Sequence, residues 1–170
     1  MKRLLPLAAL LASPALAQDA QVYHASATWP VHASDGACTL VQAQPESGSA
    51  LSVGYDGDEV ILTSTAQVES PLPPSGRVPL EIVFLENGNT DYDDGWGSRQ
   101  FAYVGSDGVY RFSARFAGAR NARQILADLA DSKWLGLLQD GETIVAYELK
   151  GIAASVSRLR DCASQVVAAN

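Results

Sequence analysis

Lys133-Trp-Leu-Gly-Leu-Leu-Gln-Asp140-Gly141-Glu-Thr-Ile-Val-Ala-Tyr-Glu-Leu149 reads as a β-hairpin before the rest of the chain is considered. Asp-Gly supplies the positive φ angles of a mirror-image two-residue turn, whose twist matches that of paired strands. Before the turn runs an apolar segment, Lys133 to Gln139. After it, Thr143, Val145, Tyr147 and Leu149 fall on alternate positions, the period of a strand with one buried face.

The same dipeptide recurs outward from this hairpin. Asp-Gly pairs stand at 35–36, 56–57, 94–95, 107–108 and 140–141, and short alternating segments lie between them. Cys38 to Ala43, Leu51 to Tyr55, and Val60 to Thr63 each read as a strand. Val78, Leu80, Ile82 and Phe84 form the clearest two-residue period, and Phe101 and Tyr103 pair across Ser106-Asp107-Gly108 with Tyr110, Phe112 and Ala114. Pro71-Leu-Pro-Pro-Ser-Gly76 is expected to be a stiff exposed loop. Two stretches change period. Asn121 is placed to cap a helix, with Gln124 reaching back, and Ala122, Ile125, Leu126 and Leu129 follow at helical spacing. A second helix is expected from Ile152 to about Ala163, with Ile152, Val156, Leu159 and Val166 on one stripe. Strands first and helices late argue for an α+β domain of mainly antiparallel β structure, a sandwich or open barrel, with two short helices near the C-terminus. Trp29 and Trp134 sit in strand patterns and are expected in the core.

The first residues carry a different message. Lys2 and Arg3 precede the short apolar run Leu4 to Ala12, Ser13-Pro14 breaks it, and Ala15-Leu16-Ala17 offers small residues where a signal peptidase reads. This predicts an export signal over 1–17 and a single domain over 18–170. The apolar run is about half the length a spanning helix needs, so no membrane span is expected after cleavage. The leader holds two of the twelve basic residues and none of the nineteen acidic ones, so the mature chain is more acidic than the formal −7 of the whole. Such a charge repels phosphate backbones, and nucleic-acid binding is not expected.

Cys38 and Cys162 are the only cysteines. In an exported chain an even pair reads as one disulfide, which would tie the first strand region to the last helix.

Residues that could carry chemistry are few. Asn89, Asp91 and Asp93 have the spacing of the first three ligands of a calcium loop, but the turn glycine, Gly95, comes one place late, and Gln100 stands where a bidentate carboxylate should close the loop. A solvated acidic loop is the expected reading, without a metal, and no cofactor is called for. In the same loop Trp96 lies between Gly95 and Gly97, so Asp91, Tyr92, Asp93, Asp94 and Trp96 form a candidate partner surface; the alternative is that Trp96 folds back onto the sheet as a plug. His24 and His32 flank Trp29-Pro30 with no motif to orient either as a base. No nucleophile elbow, zinc-helix motif or phosphate loop occurs.

Trp29-Pro-Val31, Cys38-Thr-Leu40-Val-Gln42 and Tyr147-Glu-Leu149-Lys-Gly151-Ile-Ala153-Ala154 together resemble small exported bacterial proteins of the invasion-associated locus B type, over about a third of the chain. The chain departs from that pattern in placing Cys162 inside the terminal helix, in having no cysteine close behind Trp29, and in its long acidic loop. The resemblance implies a β-rich periplasmic or secreted domain without known catalytic residues, and it transfers no functional residue. The expectation is a non-catalytic periplasmic or secreted binding or envelope protein, its partner a protein or glycan of the envelope. The alternatives are an exported hydrolase with an unrecognised carboxylate or histidine site, and a periplasmic inhibitor.

Overall fold

The computed structural model describes residues 21–34, 36–69, 72–85 and 96–168. The predicted export signal over 1–17 therefore lies outside the described residues.

Among the described residues, ten strands and two helices follow in the order β1 (Gln21–His24), β2 (Val31–Ser34), β3 (Ala37–Gln44), β4 (Ser49–Tyr55), β5 (Val60–Gln67), β6 (Ser75–Leu85), β7 (Gly97–Ser106), β8 (Val109–Phe116), α1 (Ala119–Asp131), β9 (Trp134–Gln139), β10 (Glu142–Glu148) and α2 (Ile152–Ala168). All strands join one antiparallel sheet in the order β1-β2-β3-β4-β5-β8-β7-β6-β9-β10. This is the α+β, mainly antiparallel fold that the alternating segments predicted. The turns follow the sequence as well. Asp107 and Gly108 have φ of 53° and 80°, and Asp140 and Gly141 have 52° and 82°, so both residues of each turn take the positive φ that Asp-Gly tolerates.

The sheet coils back on itself. β10, at one end of the strand order, comes into contact with β5 near the middle. Strands β5, β8, β7, β6, β9 and β10 thus form an incomplete barrel with a seam between β10 and β5, and β1 to β4 continue past that seam. Tyr147 on β10 holds the seam from inside. Its hydroxyl lies 2.7 Å from Ser64 Oγ, 2.9 Å from the Ala50 carbonyl oxygen and 3.1 Å from that of Thr65. Burial pushes the Tyr147 pKa up to about 12, with Ser64 pulling the other way.

The helices fill the inner side. α2 packs on β1 to β4, and α1 packs on α2, β5 and β8. Ala122, Ile125, Leu126 and Leu129 of α1 and Ile152, Val156 and Leu159 of α2 are buried on the predicted stripes. Cys38 on β3 is bonded to Cys162 on α2 across 124 residues, with a Cα–Cα distance of 6.1 Å. A second fastening lies at the start of α2. The Trp29 indole Nε1 donates to the Lys150 carbonyl (3.2 Å), and Ser155 Oγ donates to the Trp29 carbonyl (2.7 Å).

Several expectations need correction. The first helix starts at Ala119 after Gly118, with no side-chain cap; Asn121 lies inside it and donates from Nδ2 to the Ala117 carbonyl. The positive φ of Gly118 (88°) makes the entry that Asn121 was expected to make. α2 runs on to Ala168. Part of the predicted proline loop is strand, since Ser75 and Gly76 open β6 and pair with Val104 and Tyr103. Trp29 is fully buried but lies in the β1–β2 connection, and Trp134, which opens β9, is only half-buried. Thr143 leaves the predicted buried face because the register shifts between it and Val145.

Candidate functional site

The two ends of the incomplete barrel differ. At one end β7 begins, β8 finishes, and α1 packs across. Trp96, just ahead of β7, is half-buried there. Its Nε1 donates to Asp128 Oδ2 of α1 at 2.6 Å, and its ring meets the edge of Phe116 at 5.1 Å. The Arg99 guanidinium sits 5.5 Å from the indole centroid. These contacts are those of a plug, the second of the two sequence readings of Trp96. Asp91, Tyr92, Asp93 and Asp94 of the candidate surface, and Asn89 of the calcium spacing, lie outside the described residues. Among the described residues no group of three or more His, Cys, Asp or Glu gathers to hold a metal ion.

Among the described residues no helix lies across the opposite end. There β5 finishes, the β9–β10 turn projects, and a cleft of about 520 Å³ opens between them. Its half-buried apolar members are Val68 and Ile144, and the exposed carboxylates Glu69, Asp140 and Glu142 stand around them. Gln67, Gln139 and Thr143 complete the lining, which among the described residues contains no basic side chain. Local sequence explains the shape. The bulge between Thr143 and Val145 drops Ile144 from the β9 ladder, so β10 bends where it faces Val68. No sequence motif marks this cleft, because its two sides are some seventy positions apart and meet only when the sheet coils.

A second, shallower hollow of about 270 Å³ lies on the outer face of β3, β4 and β5, where Thr39, Ser52 and Gly54 leave little side-chain bulk. The two acids on its margin are engaged locally. Asp56 Oδ1 accepts the amides of Asp58 and Glu59 at 2.9 and 2.8 Å, and Glu59 pairs with Arg115 Nε at 3.2 Å.

His24 and His32 are half-buried on β1 and β2, and neither lines either hollow. His32 stands in a row across the outer face with Val22, Thr39, Gly54, Ile61 and Arg115. Chemically the open-end cleft suits a cation with an apolar stem: two aliphatic side chains for the stem, and three carboxylates for the charge.

Among the described residues no helix is long and apolar enough to cross a membrane. Compared with known proteins, the chain matches no family model, no curated protein and no solved structure.

Proposed function

We propose that this chain is an exported, non-catalytic binding domain of the cell envelope, which receives its partner at the barrel end that α1 leaves open. The observation that carries this reading is the cleft of about 520 Å³ between the end of β5 and the β9–β10 turn, set against an end strand of the sheet. Three further features support it. A disulfide between two fully buried cysteines suits an oxidising compartment and an export signal. Buried Ser64, Tyr147, Ser155 and Trp29 spend their polar groups on fastening β10 and α2 to the sheet, which is the work of a scaffold. The resemblance to small exported envelope proteins of the invasion-associated locus B type points to the same address.

A photo-crosslinking amino acid placed in turn at Thr143, Trp96 and Val104 tests the reading in cells. Thr143 lines the cleft, Trp96 marks the plugged end, and Val104 is an outward-facing control, 49% exposed. Discrete envelope adducts from Thr143, above those from Val104, are expected. Equal, diffuse labelling from all three positions, or a protein that stays in the cytoplasm, would remove the proposal.

A further inference from the structure

We infer that the outer face of β7 and β8, with Arg77 of β6 beside them, lies on an anionic lipid bilayer, its arginines on the headgroups and its valines in the interfacial layer. The inference concerns a face other than the cleft, and neither reading needs the other. Two independent features lead to it. The first is the distribution of charge. Of the nineteen acidic residues in the chain, none lies on β1 to β5, β8 or β7, a run of strands contiguous in the sheet. Arginines stand there instead. Arg111 and Arg115 alternate with the buried Tyr110, Phe112 and Ala114 along β8 and so face outward, and the exposed Arg77 joins them from β6. Arg115 is paired with Glu59, but among the described residues neither Arg77 nor Arg111 has a carboxylate partner. The second feature is apolar. Among the described residues the exposed large aliphatic side chains are Val22, Ile61, Val104 and Val109, and all of them stand on this outer face.

Strand register brings the two features together. Val104 is directly opposite Arg111, and Ala102, the next outward position on β7, is opposite Arg77. Two arginines therefore stand on either side of Val104, and Val109 is the outward neighbour of Arg111 on its own strand. Diagonal neighbours on one sheet face are about 7–8 Å apart, close enough for one patch. Chemistry then selects the occupant. A guanidinium donates in pairs to phosphate oxygens, while its stem and the adjoining valines suit the boundary between headgroups and chains. A hydrated polyanion satisfies the arginines and leaves the valines in water. A second copy of this chain, set face to face, would oppose arginine with arginine. The formal charge of −7 resists approach from a distance, but screening over about 8 Å at physiological ionic strength leaves contact to the local charges. The exposed Asp107 of the β7–β8 turn marks the border of the face.

The test is co-sedimentation of the full mature protein with sucrose-loaded vesicles, either of phosphatidylcholine alone or of phosphatidylcholine and phosphatidylglycerol at three to one. Binding to the mixed vesicles and none to the neutral ones is expected. Arg77→Gln/Arg111→Gln should lose about thirtyfold in affinity for the mixed vesicles. If that variant misfolds, Arg111→Gln alone should lose about fivefold. Arg158→Gln/Arg160→Gln makes the same change of charge on the exposed side of α2, and should lose less than about twofold. Val104→Thr/Val109→Thr keeps the charge and the branched strand shape. It should lose about threefold for vesicles and nothing for heparin. Equal binding to both kinds of vesicle, or equal losses from the two arginine pairs, would overturn the inference. So would full competition by heparin with no effect of the valine changes, an outcome that assigns the face to a soluble polyanion. Lipid adducts give no protein band, so Val104 remains the control for the cleft, and failure with vesicles leaves the binding reading standing.

Discussion

Replacing Cys38 and Cys162 with alanine opens the largest covalent loop in the molecule, 124 residues. In the chain-entropy picture the cross-link lowers the entropy of the unfolded chain by an amount that grows with the logarithm of loop length. For this loop that is about 5 kcal/mol at 25 °C. Both cysteines are 0% exposed, so removing the sulfurs also leaves a small void, adding about 1 kcal/mol. Set against a total stability of roughly 5–15 kcal/mol for an ordinary domain, this places the variant near the edge of folding. The thermal midpoint should fall by about 12–24 °C, at 2–4 °C per kcal/mol for a chain of this size. The assay is urea and thermal unfolding of wild type, Cys38→Ala, Cys162→Ala and the double variant, followed by near-ultraviolet circular dichroism. Each single change breaks the same bond, so either one should cost nearly as much as the pair, and the cycle should be strongly non-additive. Dithiothreitol should reduce the wild type slowly under native conditions, because the sulfurs become reachable only when α2 lifts from β3. Single losses that are small and add up to the double, or free thiols in the purified protein, would refute the reasoning.

Tyr147→Phe removes the hydroxyl that spans Ser64, Ala50 and Thr65, and should cost about 1–3 kcal/mol with loosened protection of the β10 amides in hydrogen exchange. The same group sets a pH limit. Its folded pKa is raised to about 12 from 10, so its contribution is fully present below pH 10 and is lost as pH climbs through 12, about 2–3 kcal/mol in all; Tyr147→Phe should flatten that alkaline fall. Asp128→Ala frees the Trp96 indole, and should red-shift the tryptophan emission at a cost of about 1 kcal/mol, whereas Arg158→Ala, on an exposed pair with Asp161, should change stability by less than about 0.5 kcal/mol. Gly105→Ala would drive a Cβ into the Val109 carbonyl and within 2.7 Å of Tyr110 Cα, both backbone, and should cost about 1–3 kcal/mol in urea unfolding.

What was legible in the sequence is what local physics encodes. Two-residue alternation and Asp-Gly turns gave the antiparallel strands and the hairpins at 107–108 and 140–141, and helical spacing gave the buried stripes of α1 and α2. Two cysteines allowed one pairing, and that pairing is present. Local physics was a poorer guide wherever a distant partner decides. Trp29 looks like a strand residue, yet it is buried in a connection because Lys150 and Ser155, more than a hundred positions away, hold its indole and its carbonyl. Trp96 looks exposed between glycines, yet Asp128 and Phe116 draw it in. The cleft was the least legible feature. Glu69 and Glu142 each read as a charge near a turn, and only the coiling of the sheet makes them neighbours.

That coiling also explains why the two ends of one barrel differ. At the β7 start the Trp96 ring meets Phe116 at the end of β8 and is held to Asp128 of α1, and α1 packs on β8. At the β10 start the buried face ends with Tyr147 and Val145; a bulge follows, and the exposed Thr143 and Glu142 beyond it give a helix nothing apolar to pack against. A bulge of this kind bends the end strand away from regular pairing, a known way of keeping a sheet edge from joining its own copies. Here the bulged residue, Ile144, faces Val68 across a space bordered by carboxylates. The bulge and the carboxylates around it therefore leave this end without the apolar face that α1 covers at the other.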